Sequence, residues 1–476
     1  MKTALRINRI GTTQLTRLMV IAVLAMMIAL QAFARVVTDY RSKQSGAWSA
    51  ASTWERYDGS NWVAAVAVPT SSDGVVTIQN GHTITVDANS NCSSILIQSG
   101  GFVQNSSGAS YTLIVQNTFE NNGTVQNNGA TFTLNVNGNT TNNGTWVNAV
   151  TNFAGTGTIG GPSAYGGACN IAGTGRSIAG SVTINTMTVS DGGILGVGSG
   201  TTLTTAEYSS TSSTGKVEGS GTMVFGATQD IRGTYKVTTI KIATGAKSIP
   251  DIGSDPDILF EGTLTVEASG VLQNKSGSTV LMQMNGPLVN NIDGIIQNNG
   301  STFTLNANGN TTNNGTWTNA ATNFMGTGTI EGSSAYGGYS SIAGTGRSIT
   351  GNVTLNYLVV QDGGSLGVGT GTVLTTTQYS TTSSTGRVEG LGTMVFGNTQ
   401  DIRGTYKVST IKITSGVKNI VDISADPDIV FEGALIVEAS GVLQNKSGST
   451  VVAQVNGSLT NNASGIIQTN GSSFTL

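Results

Sequence analysis

The densest set of groups able to move protons or hold charge is Asp230-Ile231-Arg232-Gly233-Thr234-Tyr235-Lys236, which recurs as Asp401, Arg403, Tyr406 and Lys407. On a strand, alternate side chains share a face, so Asp230 and Arg232 point the same way. An acid or base to shift a proton, with a cation to steady developing negative charge, is the equipment of polysaccharide cleavage. Asp230, Arg232, Lys236, Asp401, Arg403 and Lys407 are therefore the catalytic candidates. The bland reading weighs more: an ion pair that keeps neighbouring strands in register. Most enzymes hold one site in a cleft, and a cluster copied along the chain fits binding or structure better than catalysis.

A second acidic cluster, Asp255-Pro256-Asp257 with Asp251 and Glu261, recurs as Asp426-Pro427-Asp428 with Asp422 and Glu432. Calcium takes six to eight oxygens, and several carboxylates on a turn are the raw material for such a cage. The spacing matches no known calcium loop, and Asp-Pro is ordinary turn chemistry. No other cofactor is indicated. Aromatic candidates for stacking on a sugar ring are Trp48, Trp54, Trp62, Tyr235 and Tyr406; packing at the corners of the fold is the competing role for the tyrosines, which include Tyr165 and Tyr208, repeated at Tyr336 and Tyr379.

Composition removes other chemistries. The 476 residues include one His and two Cys, so His-based triads, multi-His metal sites and a disulfide framework are excluded. His82 follows Gly81 between two strand-like segments and reads as a turn residue. Cys92 and Cys169 are able to pair in an oxidising compartment, but Cys169 becomes Ser340 in the duplicated segment. Lys+Arg 22 against Asp+Glu 25 gives a net charge of −3, with no basic excess to neutralise nucleic-acid phosphates.

The elements that must position these residues are repetitive. Residues 127–297 align with 298–468 without a gap at an offset of 171, with 44 differences, and a third copy begins at 469–476. The duplicate is therefore about three-quarters identical, and the chain is expected to be part of a longer protein. A shorter period lies inside: YTLIVQNTFENNGTVQN at 111–127 returns as FTLNVNGNTTNNGTWVN at 132–148, an offset of 21. Phe132-Thr133-Leu134-Asn135-Val136 alternates apolar and polar, which is the period of a strand. Asn-Asn-Gly then offers residues that tolerate positive φ for a turn. Further strands are expected at Ser181–Val189, Thr222–Phe225, Lys236–Ile242 and Thr263–Glu267, and no helical stripe follows residue 34.

Short strands, Gly/Asn turns and this short inner period predict an all-β, right-handed parallel β-helix solenoid. One coil cannot bury its inward face, whereas stacked coils share a core and satisfy one another's edges. Asn recurring at one coil position predicts amide ladders along the axis. About 18 coils give a rod on the order of 90 Å. The alternative is a string of tandem β-sandwiches, which the inner period disfavours.

The N-terminus reads as an export signal. Lys2, Arg6, Arg9 and Arg17 precede an apolar run from Leu18 to Ala34 that closes on Ala32-Phe33-Ala34, so cleavage is expected after Ala34. The run is short for a membrane span, and no membrane span is expected in the mature chain, which is placed outside the cell or on its outer surface.

Residues 35–104 differ from the rest and carry Trp48, Trp54 and Trp62. GxWxxxxTW, then Pro69 before Ser-Asp-Gly-Val-Val, the Gly81-His82-Thr83 turn and Gly100-Gly101 resemble the eight-glycine domain and the related opening module of secreted, pectin-lyase-like β-helix proteins from Bacteroidetes-type bacteria. The resemblance is confined to positions 44–104. It implies surface exposure, a β-helix body, and adhesion or glycan interaction. The C-terminal domain for type IX secretion that it also implies is not in this sequence. Read from physics alone, the same segment is an aromatic cap that shields the first coil. The expected organisation is a signal peptide over 1–34, a cap module over 35–104, the end of a partial repeat over 105–126, and then the copies. The function expected is a secreted or cell-surface adhesin or stalk contacting an extracellular glycan or cell-surface ligand, the alternative being a polysaccharide-binding or polysaccharide-degrading protein.

Overall fold

The computed structural model describes residues 36–147, 149–318, 320–424 and 426–476. The expected signal segment lies outside the described residues. Phe132–Val136 shows why the chain coils: Phe132, Leu134 and Val136 are fully buried while Thr133 and Asn135 face outward. A strand with one apolar face needs cover, and the chain supplies it by turning back over itself. Tyr111–Val115, Phe119–Asn121 and Thr124–Gln126 form three sides of one coil, and Phe132–Val136, Thr140–Asn142 and Thr145–Val147 form the next. Tyr111 lies opposite Phe132, Phe119 opposite Thr140 and Thr124 opposite Thr145, the same offset of 21 read in the sequence.

About 19 such turns stack into a parallel β-solenoid, roughly 90 Å long at about 4.8 Å per coil. The described residues contain no α-helix, and a three-residue 3₁₀ turn at Ala51–Thr53 is the one helical element among them. Tandem β-sandwiches are ruled out, because they require antiparallel pairing and the coil-to-coil ladders are parallel.

Coil length is not constant. Successive partners through the first copy are Thr133↔Val150, Thr151↔Cys169, Cys169↔Met187, Met187↔Ser209, Ser209↔Ile231, Gly233↔Ile258, Ile258↔Met282 and Met282↔Leu305. One copy of the long repeat is thus eight coils, short at first and longer later. The second copy reproduces the order, as in Thr304↔Ala321 and Gly404↔Ile429. The extra residues of the long coils leave the core as loops.

The Asn-Asn-Gly turns work differently from the expectation. Gly123 and Gly144 are not among the glycines with positive φ. A Cβ on Gly144 would stand 2.1 Å from the Gly123 carbonyl oxygen, and one on Gly123 would stand 2.3 Å from that of Gly101. Glycine is required here by coil-to-coil contact, not by backbone hand.

The expected amide ladders are present on both surfaces of the wall. Inside, Asn121 Nδ2 donates to Asn142 Oδ1 at 2.8 Å and Asn290 to Asn313 at 2.8 Å. Outside, Asn170 donates to Asn152 and Asn152 to Asn135, at 2.9 and 2.8 Å. Each buried amide spends its donors on a neighbour or a carbonyl, which is what permits a polar group in this core.

At the N-terminal end, Tyr40–Ser42, Trp54–Tyr57 and Trp62–Ala64 pair antiparallel. Tyr40–Ser42 also pairs parallel with Val75–Ile78, the first coil strand. Trp48 and Trp54 are buried against each other, with ring centroids 5.1 Å apart at 70°, and Trp54 Nε1 donates to the Trp48 carbonyl at 3.0 Å. This layer covers the edge that the first coil would otherwise expose.

Candidate functional site

The proton-transfer cluster does not assemble. Asp230 faces outward but pairs with Lys275 at 2.5 Å, and Asp401 pairs with Lys446 at 2.5 Å. Lys236 pairs with Glu261 at 2.7 Å, and Lys407 with Glu432 at 3.9 Å. Arg232 turns elsewhere, donating from Nε to Ser210 Oγ at 3.1 Å with its guanidinium 5.9 Å from the Tyr208 ring centre. Each member of the run thus has a separate partner. Asp230 and Arg232 do share the outward face, as alternation requires, yet the acid is neutralised by a lysine from a later coil.

Tyr235 and Tyr406 are corrected outright: both are fully buried and cannot present a ring to a sugar. Tyr235 stacks on Phe260 at 5.7 Å, its hydroxyl shares a hydrogen bond with Ser209, and burial pushes its pKa up. Trp48 and Trp54 are corrected for the same reason. Trp62 is half-buried, with the Arg41 guanidinium 4.6 Å from its ring centre.

The calcium reading is overturned by where the carboxylates go. Among the described residues no three His, Cys, Asp or Glu side chains converge. Asp257 is turned inward, 1% exposed, and accepts the Ile252 N–H on Oδ1 and the Leu281 N–H on Oδ2, both at 2.8 Å. Asp428 repeats this with Ile423 and Val452. Asp255 and Asp426 sit on the exposed turn beside them, and Glu261 and Glu432 belong to the lysine pairs.

Cys92 and Cys169 are free and buried. The ladder from Cys92 runs through Val115, Val136 and Phe153 to Ile171, four coils on. Cys169 lies on that fourth coil, so about 19 Å of rise separates the two. A disulfide needs Cα atoms within about 7 Å, so pairing within one chain is excluded. Burial holds both thiols in their protonated form, pushing Cys169 up to about 12. His82 keeps to its turn, its Nδ1 2.8 Å from Ser42 Oγ.

What the stack builds instead is a groove of about 500 Å³ around Arg232. Gln229–Ile242 is a single 14-residue strand that passes straight through a corner. Gly233 allows this, at φ 94° and with only 2.1 Å between a notional Cβ and Thr211 Oγ1. The coil before it throws out the loop 212–215, and the coil after it throws out the loop 250–257. The loop-free coil between them becomes the floor, with Arg232, Gly233 and Thr234 half-buried along it.

Both walls are fastened by a carboxylate. Asp191 accepts from Ser213 Oγ at 3.1 Å and from Thr214 Oγ1 at 3.0 Å, and hydrogen bonds led by the Ser212 and Thr214 hydroxyls hold its pKa below the usual value. Asp257 fastens the other wall as above, and its carbonyl accepts the Gly233 N–H at 3.0 Å. In the second copy Asp362 accepts from Ser384 and Thr385, Asp428 from Ile423 and Val452, and Arg403 Nε donates to Thr381 Oγ1 at 2.8 Å.

Sequence reasoning also missed cations inside the coil. Arg176 and Arg347 are 2% and 1% exposed, and their guanidinium groups donate to main-chain carbonyls, those of Val136 and Gly138 for Arg176. Burial lowers each to about 10. Lys247 and Lys418 are fully buried, donate to two carbonyls each, and are lowered by burial to about 8. The signal was present: Arg176 with Ile178, and Lys247 with Ile249, share the inward period-two face.

The geometry defines the class as a parallel β-solenoid with a polar groove at Arg232. No protein-family model matches the chain, and neither a curated protein nor a solved structure matches it.

Proposed function

We propose that this chain is a secreted or cell-surface spacer, an adhesin or stalk whose rod carries repeated weak contact sites. The observation that carries the reading is the ladder itself: the same eight-coil block follows itself in register, with Met282↔Leu305 joining the copies through the same pairing used within them. Such a solenoid lengthens by duplication without a new interface. Each added block brings another copy of the same surface, so avidity grows with length. Low charge suits the outer wall, because like charges about 4.8 Å apart along the axis repel.

Two experiments test it. Small-angle scattering of the chain from residue 35 should give a rod on the order of 90 Å; a compact or jointed particle refutes the rod. Culture medium and cell-surface fractions should contain a chain starting at Arg35; retention of the intact N-terminus inside the cell refutes export. A second reading, polysaccharide binding, is favoured by the groove at Arg232. Catalysis is not favoured, because no free carboxylate stands beside a cation in the Asp230 run.

A further inference from the structure

The geometry points to the Arg232 groove, and its counterpart at Arg403, as binding sites for a single carboxylate-bearing sugar residue of an acidic polysaccharide. This rests on the polysaccharide-binding reading and names the ligand class for it.

The charges single the site out. Lys236, Lys241 and Lys275 each reach a carboxylate across the coils, Lys216 pairs with Glu218 on its own strand, and the second copy keeps these pairs, with Arg387 in place of Lys216. Arg176 and Lys247 are sealed inside. Among the described residues of the repeats, Arg232 and Arg403 are the accessible cations that no carboxylate engages. Arg232 lines the groove and uses Nε on Ser210, and no hydrogen bond within the described protein engages its terminal nitrogens. That fork matches a planar carboxylate in two parallel hydrogen bonds.

The rest of the lining suits a sugar. Thr188, Ser212 and Thr234 add hydroxyls that donate or accept, while Ile252, Pro256 and Leu259 supply an apolar strip for the face of a pyranose ring. The Asp255 carboxylate makes no hydrogen bond within the described protein and lies in the same groove, ready to accept from ring hydroxyls. Arg232 and Asp255 together leave the groove formally neutral. It therefore favours one charge surrounded by neutral hydroxyls, as in a uronate, over a densely sulfated chain. The volume of about 500 Å³ lies within the usual range for small-ligand sites.

The groove is also preorganised and duplicated. The carboxylates of Asp191 and Asp257 fix its walls, and their equivalents Asp362 and Asp428 fix the same loops in the second copy. Arg403, Asp426, Pro427, Ser383 and Thr405 occupy the matching positions in sequence, while Thr188 is replaced by Val359, Ser210 by Thr381, Ser254 by Ala425 and Leu259 by Val430. Eight coils place the two sites about 38 Å apart along one face, a spacing that a single extended polysaccharide can bridge.

The test is calorimetric titration of the chain from residue 35 with a short oligogalacturonate, its methyl ester, and a sulfated neutral oligosaccharide of equal length. The oligouronate should bind, its ester about 10-fold or more weaker, and the sulfated chain more weakly than the uronate. Arg232→Gln with Arg403→Gln should weaken uronate binding about 10- to 100-fold, and Arg232→Lys with Arg403→Lys should fall between. Lys241→Gln, whose partner Glu267 lies outside the groove, should change nothing. Equal binding of acid and ester, unchanged binding in the double Gln variant, or no uronate binding at millimolar concentration overturns the assignment. Unaltered circular dichroism and melting of the variants secure the comparison. Scattering that still shows a rod separates failure of this site from failure of the spacer reading, and a neutral glycan binding elsewhere separates it from failure of polysaccharide binding.

Discussion

Replacing both buried lysines by methionine, Lys247→Met with Lys418→Met, should stabilise the solenoid and remove a pH dependence that the parent carries. Each ammonium lies inside the coil, 0% exposed, held by two carbonyls and no carboxylate: Thr244 and Gly245 for Lys247, Ser415 and Gly416 for Lys418. Burial lowers each from 10.5 to about 8. Between these values the unfolded chain binds a proton that the folded chain has released, so stability climbs as pH rises from about 8 to about 10. A gap of about 2.5 units at about 1.36 kcal/mol per unit sets a ceiling near 3.4 kcal/mol per lysine. The part-buried carbonyl contacts, which stabilise the charged form, reduce this to about 1–3 kcal/mol. The scan stops near pH 10, because buried Tyr165 and Tyr235 are raised by desolvation and pull the other way once unfolded tyrosines ionise. Guanidinium unfolding followed by circular dichroism across this range provides the assay. Buried Cys92 and Cys169 stay protonated while unfolded thiols ionise above about 8.5, which lowers the stability of both proteins as pH rises. The lysine contribution is therefore read as the difference between them: the parent midpoint should gain on that of the double variant between about pH 8 and 10. A constant difference across this range refutes the account of a charged lysine held in the core.

Three further outcomes follow from single contacts. Asp257→Ala strips the Ile252 and Leu281 N–H groups of their acceptor and should cost about 1–3 kcal/mol, seen first as faster hydrogen exchange at Ile252 and Leu281; unchanged exchange there counts against the clamp. Gly144→Ala drives a Cβ into the Gly123 carbonyl and should lower the melting temperature by several degrees, whereas Gly198→Ala, with nothing within 4 Å, should be neutral or stabilising by up to about 1 kcal/mol; equal effects would show that the coils do not touch at Gly144. The unreduced mature chain should release two titratable thiols in denaturant and none when native; a native count of two, or a denatured count of zero, contradicts burial of separate free cysteines.

Much of the fold was legible because the coil is a local device. The short inner repeat put Tyr111 opposite Phe132, and Ser181–Val189 is a strand with the bounds read from its alternation. The site was less legible. Arg232 could be picked out as a cation in a repeated polar run, yet its neighbours in sequence are not its neighbours in space. Asp230 answers to Lys275, 45 residues away, and Lys236 answers to Glu261 on the next coil. Burial of Tyr235 was legible, because Ile231, Tyr235 and Val237 share the inward period-two face of one strand; reading the run as a cluster of polar groups passed over that alternation.

Period-two alternation, the two nested repeats and the scarcity of charge are properties of the chain itself. They sufficed to set the class, because a strand with one apolar face and a near-duplicate following one turn later has few ways to hide that face. Which loops stand side by side depends on the length of each coil, and those lengths vary through the eight-coil block. Only the stacked structure fixes that sum of small offsets, and with it the groove over Arg232, the two carboxylate clamps and the cations sealed within the wall.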